Sequence, residues 1–139
     1  MMSGPYIMPS EANLAAFNSL PDDEPIHMLN FLKYRDQAEY PDGHEHGEKG
    51  WTGARAYEEY IKRLGSIFER IGARIVWQST FQATTIGSPD EVWDDMLIAE
   101  YPSAKVFLEM INDPEYQAVT INRAAGLLDS RIFRTKPGT

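Results

Sequence analysis

Two stretches of this chain are apolar on both of their alternating faces, and few folds accept such strands. Ile26-His27-Met28-Leu29-Asn30-Phe31-Leu32-Lys33-Tyr34 is the first, and Trp93 to Tyr101, through Met96, Leu97, Ile98 and Ala99, is another. Runs of that kind read as strands in the middle of a sheet, covered on two sides. What lies between and after them decides what does the covering.

From Ala54 to Ile71 the pattern is helical. Tyr57, Tyr60, Ile61, Leu64, Phe68 and Ile71 form one stripe, while Glu58, Glu59, Lys62, Arg63, Glu69 and Arg70 take the wet face. Gly72 stands where a C-terminal cap belongs. Ala73 to Ile86 then alternates, with Ile75, Trp77 and Phe81 on one face and Arg74, Gln78, Thr80 and Gln82 on the other. Gly87-Ser88-Pro89-Asp90 turns the chain. After Tyr101, Pro102-Ser103 opens a helix striped by Ala104, Phe107, Leu108 and Ile111. Asn112-Asp113-Pro114 breaks it and restarts a helical turn through Tyr116, Val119, Thr120 and Arg123. Gly126 ends that piece, and Leu127 to Arg134 is the last strand. Upstream, Ser10 caps a short helix over Glu11–Phe17, which Pro21-Asp22-Asp23-Glu24-Pro25 stops.

The resulting order is β-α-β-β-α-β, which predicts a ferredoxin-like α+β fold with a four-stranded antiparallel sheet ordered 4-1-3-2. Both helices then lie on one face. The other face is expected to carry Ile75, Trp77, Phe81, Met96 and Ile98, a patch rarely left bare on a monomer. The simplest cover is a second copy related by a two-fold axis, so a homodimer is expected.

A length of 139 residues and a mass of 15.8 kDa fit one domain: a helical extension over 1–25 and a core over 26–135 interrupted by a long loop over 35–53. The net charge of -8 argues against a nucleic-acid partner, and no apolar run reaches the ~18 residues of a membrane span. With no cysteine there is no thiol catalysis, disulfide or cysteine-held zinc. The first residues lack the basic and apolar regions of a secretory signal, so a cytoplasmic location is expected.

At Met28-Leu29-Asn30-Phe31, Trp93-Asp94-Asp95-Met96, Glu100-Tyr101-Pro102-Ser103 and Asn112-Asp113-Pro114-Glu115-Tyr116-Gln117 the sequence resembles a known family, domain of unknown function 1330. The resemblance runs from about Ile26 to Phe133, and Tyr101-Pro102-Ser103 followed by Asp113-Pro114-x-Tyr116 is its most specific part. It implies membership of the dimeric α+β barrel superfamily, with two ferredoxin-like sheets facing each other. It implies no activity. Haem-degrading and cofactor-free monooxygenases, muconolactone isomerase-like enzymes and binding proteins share that fold, and fold does not carry function. The N-terminal helix and the long loop are additions expected near one barrel mouth.

Asn30 interrupts an apolar central strand, so it either orients a ligand carbonyl or is satisfied by a neighbouring element. Glu100 follows Met96 and Ile98 at period two. Facing an apolar barrel, its pKa would rise and suit a general base; the alternative is an ion pair with Arg131 or Arg134. Trp77 and Phe81 are read as an apolar ligand wall, or else as core or interface packing. Arg35, Trp51 and Tyr57 flank the long loop and are candidates to close a lid over a ligand, with ordinary packing as the alternative; Arg131 is counted among the ligand-binding residues. His44-Glu45-His46 offers alternate metal ligands on an extended loop, but a solvated charged loop is the reading adopted, and no metal is expected. His27, opposite in parity to Asn30, reads as a satisfied core histidine, with proton carriage as the functional alternative. Asn30 with Trp77 is similar to the asparagine and tryptophan of haem-degrading relatives, yet no histidine follows His46 to hold haem, and no cofactor is expected.

The resulting expectation is a homodimer binding a small organic molecule between sheet and loop. In its enzymatic version it is a cofactor-free isomerase or monooxygenase with Glu100 as base, Asn30 as carbonyl orienter and Trp77 as wall. The alternative is a non-catalytic binding or assembly module with a filled barrel.

Overall fold

The computed structural model describes residues 5–138. Its elements are α1 (Glu11–Asn18), β1 (Ile26–Tyr34), α2 (Gly53–Ile71), β2 (Arg74–Thr80), β3 (Asp95–Tyr101), α3 (Ala104–Ile111), α4 (Pro114–Gly126) and β4 (Leu127–Thr135). The sheet is antiparallel in the order β2-β3-β1-β4, the ferredoxin-like arrangement. Helix ends follow local chemistry. Ser10, Thr52, Ser103 and Asp113 accept backbone N–H groups at the four N-termini, and Gly72 ends α2 in the left-handed region at φ 78°.

Cross-strand partners share a face, so register assigns every side chain. Ile26, Met28, Asn30 and Leu32 pair with Tyr101, Ala99, Leu97 and Asp95 and lie under the helices. The core there joins Ile26, Met28, Leu32, Leu97, Ala99 and Tyr101 to Tyr57, Tyr60, Leu64, Ile67 and Phe68 of α2. α2 and α4 meet where backbones nearly touch: a Cβ on Gly53 would stand 2.2 Å from the Arg35 carbonyl and 2.5 Å from that of Gly126. Only glycine permits that approach.

Three expectations change. β2 is shorter than the alternation suggests, ending at Thr80, and residues 81–94 connect it to β3 outside any strand. Within β2 the register shifts between Ile75, opposite Ala99, and Trp77, opposite Ile98, so these two face opposite sides. The long loop, which ends at Thr52, is tied to the helical layer. The Glu39 N–H donates to the Ala125 carbonyl at 2.9 Å, and the Tyr40 hydroxyl donates to Asn122 Oδ1 of α4 at 2.6 Å.

The N-terminal arm is clasped by β4 and α4. The Tyr6 N–H donates to Asp129 Oδ1 at 2.8 Å, Ser130 Oγ donates to the Tyr6 carbonyl at 2.6 Å, and the buried Arg123 donates to the Ile7 carbonyl at 2.8 Å. Arg134 holds the Phe17 carbonyl at 2.9 Å and also the Pro21 carbonyl. Among the described residues no helix is long and apolar enough to cross a membrane.

Candidate functional site

The face away from the helices carries Leu29, Phe31, Met96, Ile98, Trp77 and Phe133. Trp77 is 45% and Phe133 49% exposed, so this is an uncovered apolar surface. At one end of it sits a polar trio. His27 stands opposite Glu100 in the β1–β3 register, and Arg74 stands opposite Glu100 in the β2–β3 register. Those two pairings bring three side chains together: His27 Nε2 is 2.8 Å from Glu100 Oε2, and Arg74 Nε donates to Glu100 Oε1 at 3.0 Å. The hydrogen bond from His27, followed by that from Arg74, holds the Glu100 carboxyl below the usual glutamate range.

An ionised carboxylate only accepts, so in the neutral imidazole the proton sits on Nε2 and the Nδ1 lone pair is free to act as a base. The expected desolvated, raised pKa of Glu100 is therefore corrected, because its partners favour the charged form. The partners are His27 and Arg74 rather than Arg131 or Arg134.

At the other end Arg131 donates to Asp129 Oδ1 and to the Ser130 carbonyl, both at 2.7 Å. Its guanidinium lies 4.8 Å from the Tyr6 ring and 5.2 Å from the Trp93 ring. Trp93 in turn meets Phe31 at 5.6 Å, and Phe31 meets Phe133 edge-on at 5.7 Å.

Asn30 does not join this face. It lies on the helix side opposite Leu97, buried, with its amide donating to the Met28 carbonyl at 2.9 Å. Met28 and Asn30 therefore do not enclose a cavity with Ile98 and Glu100. Phe81 is past the end of β2, where its N–H donates to the Asp94 carbonyl at 2.9 Å.

Arg35, Trp51 and Tyr57 belong to the helical layer rather than to a lid over the open face. Arg35 pairs with Glu39 at 3.1 Å, and Trp51 is packed between the Arg55 guanidinium at 4.1 Å and the His46 ring at 4.6 Å. Tyr57 is buried between Tyr34 and Tyr60, and burial pushes its phenol well above the ordinary range. His44 Nδ1 accepts the His46 N–H at 3.0 Å, and His46 Nδ1 is 3.0 Å from Asn122 Oδ1. Among the described residues no group of three or more His, Asp or Glu is arranged to hold a metal ion.

Sequence reading weighed His27 only as a core histidine or a proton carrier and left Arg74 out, so it missed that both meet at Glu100. The available signal was parity, since His27 and Glu100 each stand one residue from a helix-facing neighbour, but only the cross-strand register makes them partners.

A family model described as "Domain of unknown function (DUF1330)" matches residues 50–133. A protein of unknown function from Rhodopseudomonas palustris, solved by crystallography, is 42% identical, with 98% of this chain and 99% of that chain covered and a TM-score of 0.87. A dimeric protein of unknown function with a ferredoxin-like fold from Bacteroides fragilis matches at 13% identity, over 84% of this chain and 100% of that chain, with a TM-score of 0.51. The hydroxynitrile lyase of Passiflora edulis matches at 8% identity, over 84% and 95%, with a TM-score of 0.52. The last two likenesses show the fold alone. No curated protein matches the chain significantly.

Proposed function

Because the chain belongs to the DUF1330 family, whose description assigns no activity, we propose a function from its own sheet face: a homodimer that binds a small organic molecule between two facing sheets and moves a proton on it. The observation that carries this reading is the 2.8 Å contact of His27 with an ionised Glu100 at the rim of an apolar surface. His27 Nδ1 is the general base. Glu100 fixes the tautomer and the ring, and Arg74 keeps Glu100 ionised, so both act as positioning residues.

The step needs no co-reactant. The proton leaves a carbon or oxygen acid of the ligand for Nδ1, and the electron pair stays on the ligand as an enolate-type anion. Return of the same proton to a different atom gives an isomer. The imidazolium formed meanwhile faces the Glu100 carboxylate, which stabilises it. A second copy supports the dry environment such a step requires, since a single sheet leaves Trp77 and Phe133 in water.

Deuterium exchange tests the reading. 2-Tetralone, a neutral ketone with acidic C–H groups, is incubated with the protein in D2O and followed by NMR. Exchange is expected to be faster than in buffer, and His27→Gln is expected to remove on the order of a hundredfold of the acceleration, the scale of a positioned general base. Equal exchange with the wild type, the variant and buffer contradicts the proton-transfer role and leaves a non-catalytic binding or assembly module.

A further inference from the structure

We propose that residues 40–51 form a proton-operated latch: a proton on His46 seats this loop more firmly on α2 and α4, and the loop loosens as pH rises through the range in which histidine loses its charge.

The first ground is that both ring nitrogens of His46 face oxygen. The Asn122 amide is fixed in orientation, because its Nδ2 donates to the Val119 carbonyl at 3.1 Å, so it is Oδ1 that stands 3.0 Å from His46 Nδ1. On the other side of the ring, Nε2 lies 3.6 Å from Glu45 Oε1. A neutral imidazole donates from one nitrogen only, and its other nitrogen then meets oxygen lone pair to lone pair. An imidazolium donates from both. Protonation therefore turns a repulsive contact into an attractive one, and histidine is the side chain that gains charge between pH 8 and 5.

The second ground is that the neighbouring donors and acceptors keep their roles. His46 and Asn122 are both buried. The Tyr40 hydroxyl also donates to Asn122 Oδ1, at 2.6 Å, and burial raises its phenol above the ordinary value, so it remains a donor. His44 Nδ1 accepts the His46 N–H at 3.0 Å, which requires that nitrogen to be unprotonated. A proton there would break a contact that holds the loop, so the two histidines respond in opposite senses.

The third ground is the charge around the ring. From the loop, the Tyr40, His44 and Trp51 rings surround His46 at 5.4, 5.0 and 4.6 Å, and Asp42 and Glu48 stand exposed in solvent. Arg55 of α2 and Lys49 of the loop approach the same Trp51 ring at 4.1 and 5.7 Å. Glu59 of α2 is held by Arg55 at 3.2 Å and by Arg63 at 2.6 Å, and Arg123 of α4 is directed at the Ile7 carbonyl. That leaves Glu45 as the carboxylate facing the imidazole. Its side chain is 71% exposed, so the gain has the size of a screened ion pair.

Hydrogen exchange of the full-length protein at pH 8 and pH 6, corrected for the intrinsic pH dependence of exchange, tests the latch with β1 and β3 as reference. Residues 40–51 are expected to gain on the order of threefold in protection at pH 6, the scale of an exposed ion pair. Glu45→Ala, which removes a largely exposed side chain, is expected to abolish the gain. His44→Asn keeps an acceptor for the His46 N–H without a titrating ring, and is expected to keep the gain. Equal protection at the two pH values, or a gain shared equally by β1 and β3, overturns the latch. A gain that survives Glu45→Ala, or one that is lost in His44→Asn, overturns the assignment to His46.

Discussion

His27 and Glu100 face each other across the β1–β3 ladder with 2.8 Å between Nε2 and Oε2, and Arg74 reaches the other oxygen of the same carboxylate from β2. Three strands thus contribute one residue each to a polar cluster on an otherwise apolar rim. The contact has a thermodynamic signature. Glu100 is held below its ordinary value, chiefly by His27 and then by Arg74, so folding binds its ionised form. That stabilisation is present above the unfolded-state pKa of about 4.3 and is lost as pH falls through the folded one. The thermal stability of the wild type should therefore fall on acidification below about pH 5, and Glu100→Gln should flatten the slope. Parallel slopes would mean that the contact is not made in solution.

The Gly53–Gly126 crossing makes a sharper demand. A methyl group on Gly53 would overlap the Arg35 and Gly126 carbonyls, which are backbone and cannot rotate away. Gly53→Ala should cost about 1–3 kcal/mol, the usual cost of overpacking, and should lower Tm by several degrees. Gly65→Ala is the control, since a Cβ there meets nothing within 4 Å. It sits inside α2 and should be neutral or stabilising.

Asn122 anchors the long loop by accepting from both Tyr40 and His46. Asn122→Ala removes that acceptor and leaves the buried His46 ring without its partner, at a cost of about 1–3 kcal/mol. Hydrogen exchange should rise in residues 38–51 of the variant while β1 and β3 keep their protection. Unchanged exchange in the loop would show that its aromatic packing alone holds it.

These tests separate what the sequence makes legible from what it hides. Strand order, the two-sided apolarity of β1 and β3 and the caps at Ser10, Gly72 and Asp113 follow from periodicity and turn chemistry, and the structure has them. The site was partly hidden because its composition depends on register. Asn30 and Glu100 are both polar, both on central strands and both even-numbered, yet Asn30 pairs with Leu97 beneath the helices while Glu100 pairs with His27 on the open face. The shift between Ile75 and Trp77 adds a second concealment, since simple alternation puts both on the open face, whereas Ile75 lies beneath the helices opposite Ala99 and only Trp77 stays on the open face. Arg35, Trp51 and Tyr57, which flank the loop, are placed by other contacts. Their residue types suit a lid, but Gly53 and Asn122 bind the segment to α2 and α4.

A second copy over the open face is the premise on which the dry site depends. Phe133→Asp places a charge on that face and should convert a dimer to a monomer without unfolding it, because Phe133 is half exposed in the single chain.

The most direct test is native mass spectrometry of the wild type beside Phe133→Asp at micromolar concentration. The account predicts a wild-type species at twice the 15.8 kDa chain mass and a variant at the single-chain mass. A wild-type protein that is monomeric, with its apolar face left in water, would contradict it.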